Sequence, residues 1–180
     1  MTKPMIETSQ QYKAHILGYL AGRDPIPLLA SAPDTLAALV EPLPASLIDT
    51  RPAPSKWSVR EIVAHLADDE LVGAYRIRLI LSAPGTAIQA FDQDSWAKGG
   101  RYAATDLGAS LALFRALREA NLALLGVLEE EEWDRYGVQA ERGREPIRAI
   151  AAYYAGHDLN HFAQIEAIRE GAARSSHEAA

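Results

Sequence analysis

The sequence predicts an all-α protein, an up-and-down bundle of four main helices with short extra helices, folded as a single domain over residues 1–180. Three observations carry this. Apolar residues recur at helical period along almost the whole chain, no stretch alternates long enough to make a half-buried strand, and the helix limits are marked by capping residues, prolines and glycines. With 180 residues and 48% hydrophobic content, the chain is sized for one well-packed core.

The first helix, residues 8–20, is amphipathic. From 24 to 54, prolines punctuate the chain and leave room for one or two short helices, with Leu36, Leu39 and Val40 on their apolar side. The second main helix, 58–82, opens on Ser58-Val59-Arg60-Glu61, a capping box in which the hydroxyl and the carboxylate each satisfy an orphan amide, and Pro84-Gly85 stops it. The third, 105–130, starts at Thr105-Asp106, turns Leu107, Leu111, Phe114, Leu117, Leu125 and Leu128 inward, and tolerates Gly126. The fourth, 145–170, opens at Glu145-Pro146, with Pro in the favoured first position, and ends at Gly171 as C-cap. Between Pro84 and Thr105 no element is readable; a loop of this length is functional or disordered, and Phe91, Trp96 and Tyr102 argue for order.

The formal net charge of -6 excludes a nucleic-acid or anionic-membrane surface, and Arg142, Arg144 and Arg148 are too few and too interleaved with Glu to reverse that. With no cysteine, disulfides, a thiolate nucleophile and Cys-based zinc sites are excluded, so His and carboxylate are the strong metal ligands available. The first twenty residues show no apolar leader pattern, and no apolar run approaches a membrane span, so a cytoplasmic location is expected.

Of the five histidines, His15 on the first helix and His177 in a small-residue tail read as surface residues. His157 and His161, in Gly156-His157-Asp158-Leu159-Asn160-His161, share one stripe of the last helix with Ile147, Ile150, Tyr154, Ile165 and Ile168, so both point into the bundle. Each is either a core histidine bonded to a neighbour or one of two ligands to a single metal, since residues four apart meet on one face. A metalloprotease carries Glu after its first His; this chain carries Asp158. His65, at the flank of the stripe Val59, Ile62, Leu66, Gly73, Ile77 and Ile80, is the candidate third ligand, and three imidazoles leave one position open for water or substrate. Asp68 and Asp69, one turn on, are either imidazole partners or solvated charges.

Three segments together, Trp57 to Asp68 (WSVREIVAHLAD), Phe91 to Trp96 (FDQDSW) and Gly156 to Ile165 (GHDLNHFAQI), resemble the DinB-like superfamily of four-helix bundles in order and spacing across most of the chain. The resemblance implies a bundle with an unusual helix arrangement and a homodimer. It also implies a divalent metal, zinc or nickel foremost, on three histidines that match His65, His157 and His161. The family contains thiol transferases that use bacillithiol or mycothiol, mycothiol-dependent isomerases, proteins first described as metal-dependent hydrolases, and members without a known activity.

The leading expectation is a low-molecular-weight-thiol S-transferase, in which the metal lowers the pKa of a thiol cosubstrate that attacks an electrophilic carbon, as suits a chain without cysteine. The alternatives are a hydrolase using metal-activated water and a metal-stabilised binding module without turnover. A hydrolase needs a base: Asp158 points away round the helix, whereas Asp92 and Asp94 in the loop are candidates, or else cap a turn. Arg118 and Asn121, inward on the third helix, are candidates to line a pocket and hold an anionic group, and Trp96 and Tyr102 to cover it.

Overall fold

Four long helices enclose the core of the protein, and a small sheet closes one side. The computed structural model describes residues 8–178. They form α1 (Ser9–Gly18), α2 (Pro25–Val40), α3 (Ala45–Asp49), α4 (Val59–Ser82), α5 (Gln93–Gly99), α6 (Leu107–Leu125) and α7 (Ile147–Glu178), with strands β1 (Ala87–Ile88), β2 (Tyr136–Gln139) and β3 (Gly143–Pro146). The reading of residues 1–7 and of the His177 side chain lies outside the described residues.

The bundle is α2, α4, α6 and α7. Both α4 and α2 pack along α6 and α7, so α2 faces α4 across one diagonal and α6 faces α7 across the other, while α1 lies against α7. Among the bundle helices, only the step from α4 to α6 joins neighbours in chain order. The second-helix stripe from Val59 to Ile80 is buried, as is the α7 stripe from Ile147 through His157 and His161 to Ile168. At the start of α4, Ser58 Oγ accepts from the Glu61 amide at 3.3 Å and the Glu61 carboxylate accepts from the Ser58 amide at 2.9 Å, closing the capping box.

Several elements differ from the sequence reading, each for a local reason. Residues 25–40 form one full bundle helix, opened by Asp24, whose carboxylate accepts from the Ile26 amide, and continuing through Pro33. Gly126 caps α6 instead of lying within it. Gly171 lies inside α7, which runs on to Glu178, because no proline follows and the glycine does not take the left-handed turn that ends a helix. Pro146 ends β3 and precedes α7. The stretch between Pro84 and Thr105 holds β1, α5 and a 3₁₀ turn at Tyr102–Ala104. β1 runs parallel to β2, with Ala87 opposite Val138, and β2 runs antiparallel to β3, with Val138 opposite Arg144. Strands of two to four residues are too short to show alternation.

One side chain ties the four bundle helices together. Arg118 of α6 is 1% exposed. Its Nη2 donates to Glu70 of α4 at 2.8 Å, and its Nη1 donates both to Asp158 of α7 at 2.7 Å and to the Leu29 carbonyl of α2 at 3.1 Å. That carbonyl is available because its normal helical partner, four residues on, is Pro33, which has no amide hydrogen. Asn121, one turn beyond Arg118, donates to the other Glu70 oxygen at 2.7 Å and accepts from Arg78 at 2.7 Å.

Two mutational outcomes follow. Arg118→Ala leaves Glu70 and Asp158 buried without their cation, and we expect a loss of about 3–5 kcal/mol of unfolding free energy in chemical denaturation; a loss below about 1 kcal/mol, as at a solvated surface pair, would contradict the network. At Gly156, a Cβ would stand 2.3 Å from the Ile16 carbonyl oxygen, where α1 meets α7, whereas at Gly171 it would meet nothing within 4 Å. Gly156→Ala should therefore destabilise by about 1–3 kcal/mol and Gly171→Ala should be neutral or stabilising by up to about 1 kcal/mol, as read by paired thermal melts.

Candidate metal centre

His65 comes from α4, and His157 and His161 come from successive turns of α7, the neighbouring helix. Their rings meet where the two buried stripes face each other. His157 Nε2 lies 3.3 Å from His65 Nε2 and 3.2 Å from His161 Nε2, and one ring nitrogen from each of the three falls within a 4.8 Å cluster. Ligand atoms held tetrahedrally about 2.0–2.1 Å from one ion stand roughly 3.3–3.4 Å apart, so this spacing fits a metal.

One outer nitrogen is hydrogen-bonded and sets the tautomer of its ring. His161 Nδ1 stands 3.1 Å from Gln164 Oε1, an acceptor, so the proton of a neutral ring belongs on Nδ1. His157 Nδ1 stands 3.2 Å from Asp69 Oδ2 but off the line of a hydrogen bond. The His161 tautomer turns its Nε2 lone pair towards His157 Nε2, 3.2 Å away, and with the His157 proton on the Asp69 side a cation between the two rings would be held by both nitrogens.

Burial keeps the three rings neutral. Desolvation, with the neighbouring imidazoles second, pushes His65 well below the ordinary imidazole value; His161 shifts the same way for the same reasons. His157 is pushed down to about 4, by burial first and the Arg118 charge second. Burial pushes the Asp69 carboxyl up to about 7, with Arg76 as the main opposing charge.

Aromatic rings wall the centre. The Trp57 ring lies 4.7 Å from His65 and stacks on His161 at 6.4 Å, while Phe91 stacks on His65 at 5.8 Å. Trp57 is placed by the capping box that follows it, and Phe91 by the pairing of β1 with β2. Over His65 and His157 opens a cavity of about 320 Å³ that also takes in Asp69, Arg76, Arg142 and Tyr153. The turn between β2 and β3 brings Arg142 there, with Gln139 Oε1 accepting from the Glu141 and Arg142 amides at 2.7 Å each.

The remaining sequence candidates divide. Asp69 joins the site, whereas Asp68 accepts from the Tyr102 hydroxyl at 2.7 Å. Asp92 reaches the cavity edge but caps α5, accepting from the Ser95 amide at 3.1 Å and the Ser95 hydroxyl at 2.6 Å. Asp94 lines a separate depression with Lys98 and Arg101. Trp96 is 40% exposed and meets the site only through Phe91, edge-on at 5.0 Å. Arg118 and Asn121 do not reach the cavity over the histidines, because the buried network with Glu70 holds them on the other side of α4 and α7. Asp158 is held in that network too, so the expectation that it faces away from the metal is met by an ion pair. Sequence reasoning missed Trp57 as a wall, Gln164 as the His161 partner, and Arg76. Gln164 lies one turn beyond His161 and Arg76 lies on the stripe of His65 and Asp69, so helical spacing could have marked both.

Comparison with known proteins agrees with this architecture. A family model described as the DinB superfamily matches residues 28–165. A Bacillus licheniformis protein named "Putative metal-dependent hydrolase" is 31% identical over 143 residues, covering 79% of this chain and 81% of its own. "Putative metal-dependent hydrolase YfiT" of Bacillus subtilis is 31% identical over 142 residues, covering 78% and 79%. The solved structure of YfiT, described as a probable metal-dependent hydrolase with an unusual four-helix bundle topology, superposes with a TM-score of 0.78 at 25% identity, over 96% of this chain and 94% of that one. The diagonal helix arrangement, the three facing histidines and the family match over most of the length lead to one conclusion: this chain belongs to the DinB superfamily.

Proposed function

We infer that His65, His157 and His161 hold one divalent ion, zinc or nickel, and that the protein is a metal-dependent enzyme acting on small molecules that enter the cavity over His65 and His157. The observation that carries this reading is the convergence of three neutral imidazole nitrogens in one buried cluster, with Gln164 turning the His161 lone pair inward and Asp69 beside His157. With three protein ligands a coordination position stays open, and an ion there supplies Lewis acidity that lowers the pKa of a bound thiol or water. A cavity of about 320 Å³ with polar groups converging on it supports an enzyme over a metal-stabilised binding module.

The reaction we assign is substitution by a low-molecular-weight thiol at an electrophilic carbon: the sulfur–carbon bond forms as that carbon's leaving group departs with its bonding electrons, and the thiol proton goes to a base. The chain has no cysteine, so the sulfur comes from a cosubstrate. Asp158, the acid within the histidine motif, is committed to Arg118, so no base stands in the place where a metalloprotease has its Glu. Asp69, beside His157 and facing the cavity, is the carboxylate positioned to accept the proton of an entering thiol. Trp57 and Phe91 cover the faces of His65 and limit access of water to it. The second reading, hydrolysis with water in the open position, is favoured by the names of the relatives and uses the same residues.

Protein purified without chelator should carry about one divalent ion per chain, and His157→Ala should lose most of it; equal metal content in the two proteins would refute the three-histidine assignment. For the reaction, metal-loaded protein should conjugate a model electrophile with at least one of bacillithiol, mycothiol or glutathione. Silence across that panel, together with ester or amide hydrolysis abolished by chelator, would identify the hydrolase.

A further inference from the structure

Arg76 is a buried guanidinium lining the cavity over His65 and His157; Asp69, on the same helix, lies within its field, but among the described residues no carboxylate is in contact with it. Arg76 lies on the α4 stripe of His65 and Asp69, about three turns past His65, or roughly 16 Å along the axis. Long side chains on a helix lean back towards its N-terminus, and Arg76 lines the same cavity as His65 and His157. It is 6% exposed. Its Nη2 donates to the Gln89 carbonyl at 2.5 Å, its buried Nε has no partner, and among the described residues no carboxylate forms an ion pair with it.

The nearby arginines differ. Buried Arg118 is held by Glu70 and Asp158, and half-buried Arg142 by Glu145 at 2.9 Å. The acids facing the cavity are engaged elsewhere, Asp69 at His157, Asp92 at Ser95 and Glu141 at Ser9. A guanidinium taken out of water with no carboxylate in contact is costly, and an anionic ligand that bonds it reduces that cost.

The geometry points to Arg76 as the anchor for a carboxylate on the small molecule that enters the cavity, with that molecule's reacting group at the three histidines. This assignment rests on the reading of those histidines as a metal centre. A carboxylate fits better than a phosphate, because a doubly charged group would sit in the field of Asp69 and Glu141, which face the same space. The span between His65 and Arg76 requires a spacer of several bonds between the two ends of the ligand.

The test uses two thiols that differ in one group. Cobalt(II)-substituted protein is titrated with 6-mercaptohexanoate and with the neutral 6-mercaptohexanol, and the visible spectrum reports sulfur reaching the metal. We expect the carboxylate to bind at least about tenfold more tightly, the lower end of what one charge-assisted hydrogen bond supplies. Arg76→Met should remove that preference and leave binding of the alcohol unchanged. Equal affinities in the wild type, or a preference that survives Arg76→Met, overturn the anchor; should the variant not fold, the wild-type comparison decides. A metal-free arm separates this from the metal reading: hexanoate should raise the melting temperature of metal-free wild type more than hexanol does, and not that of Arg76→Met. If cobalt fails to bind, the metal assignment falls alone, while absence of an Arg76-dependent shift with hexanoate overturns the anchor.

Discussion

The structure depends on the burial of one guanidinium among four helices. Arg118 lies 1% exposed with both of its Nη groups bonded to oxygen and only its Nε without a partner, and the chain supplies an oxygen from each facing helix: Glu70, Asp158 and the Leu29 carbonyl released by Pro33. Such a cluster adds little net stability over a well-packed apolar equivalent, since desolvation of the ions offsets most of their attraction. Its effect is on register. Sliding α4 or α7 by one turn against α6 would strand a carboxylate in the core.

That register also builds the site. Glu70 follows Asp69, and Asp158 follows His157, so each residue of the charge network has a neighbour turned about 100° round its helix towards the opposite side. Fixing Glu70 and Asp158 against Arg118 thereby sets Asp69 beside His157 and brings His65 within reach of both α7 histidines. The coupling is electrostatic as well. The Arg118 charge adds to burial in holding His157 down to about 4, which keeps the imidazole neutral and its lone pair available. The charge network of Arg118 thus lies on one side of the α4–α7 contact and the three histidines on the other.

Much of this was readable in the sequence because it is periodic. The capping box at Ser58, the stripes of α4 and α7, and the inward direction of His65, His157 and His161 follow from a 3.6-residue repeat and local hydrogen bonding. What escaped depends on distant partners. The α2 helix was read as short pieces because Pro33 normally breaks a helix, and its persistence depends on Arg118, 85 positions away, accepting the orphaned carbonyl as partner. Arg118 and Asn121 looked like pocket residues because a helix wheel shows that a polar side chain points inward but not whether carboxylates already wait there. β1 is held by pairing with β2 some fifty residues away, and all three strands are too short to show alternation of their own.

The distribution of charge bears on the chemistry. Asp158, where a protease motif has its Glu, is spent on the scaffold, and Asp92 on capping α5, which leaves Asp69 as the cavity carboxylate that touches a histidine. With neutral ligands, and with Asp92 and Glu141 bonded to Ser95 and Ser9, the site has little of its own with which to attack a substrate. The nucleophile therefore has to enter from outside, and its selection falls to the cavity wall. There Arg76 has an Nε without a partner and no carboxylate in contact, so on the proposed anchoring role discrimination among entering molecules turns on whether they carry an anion to meet it.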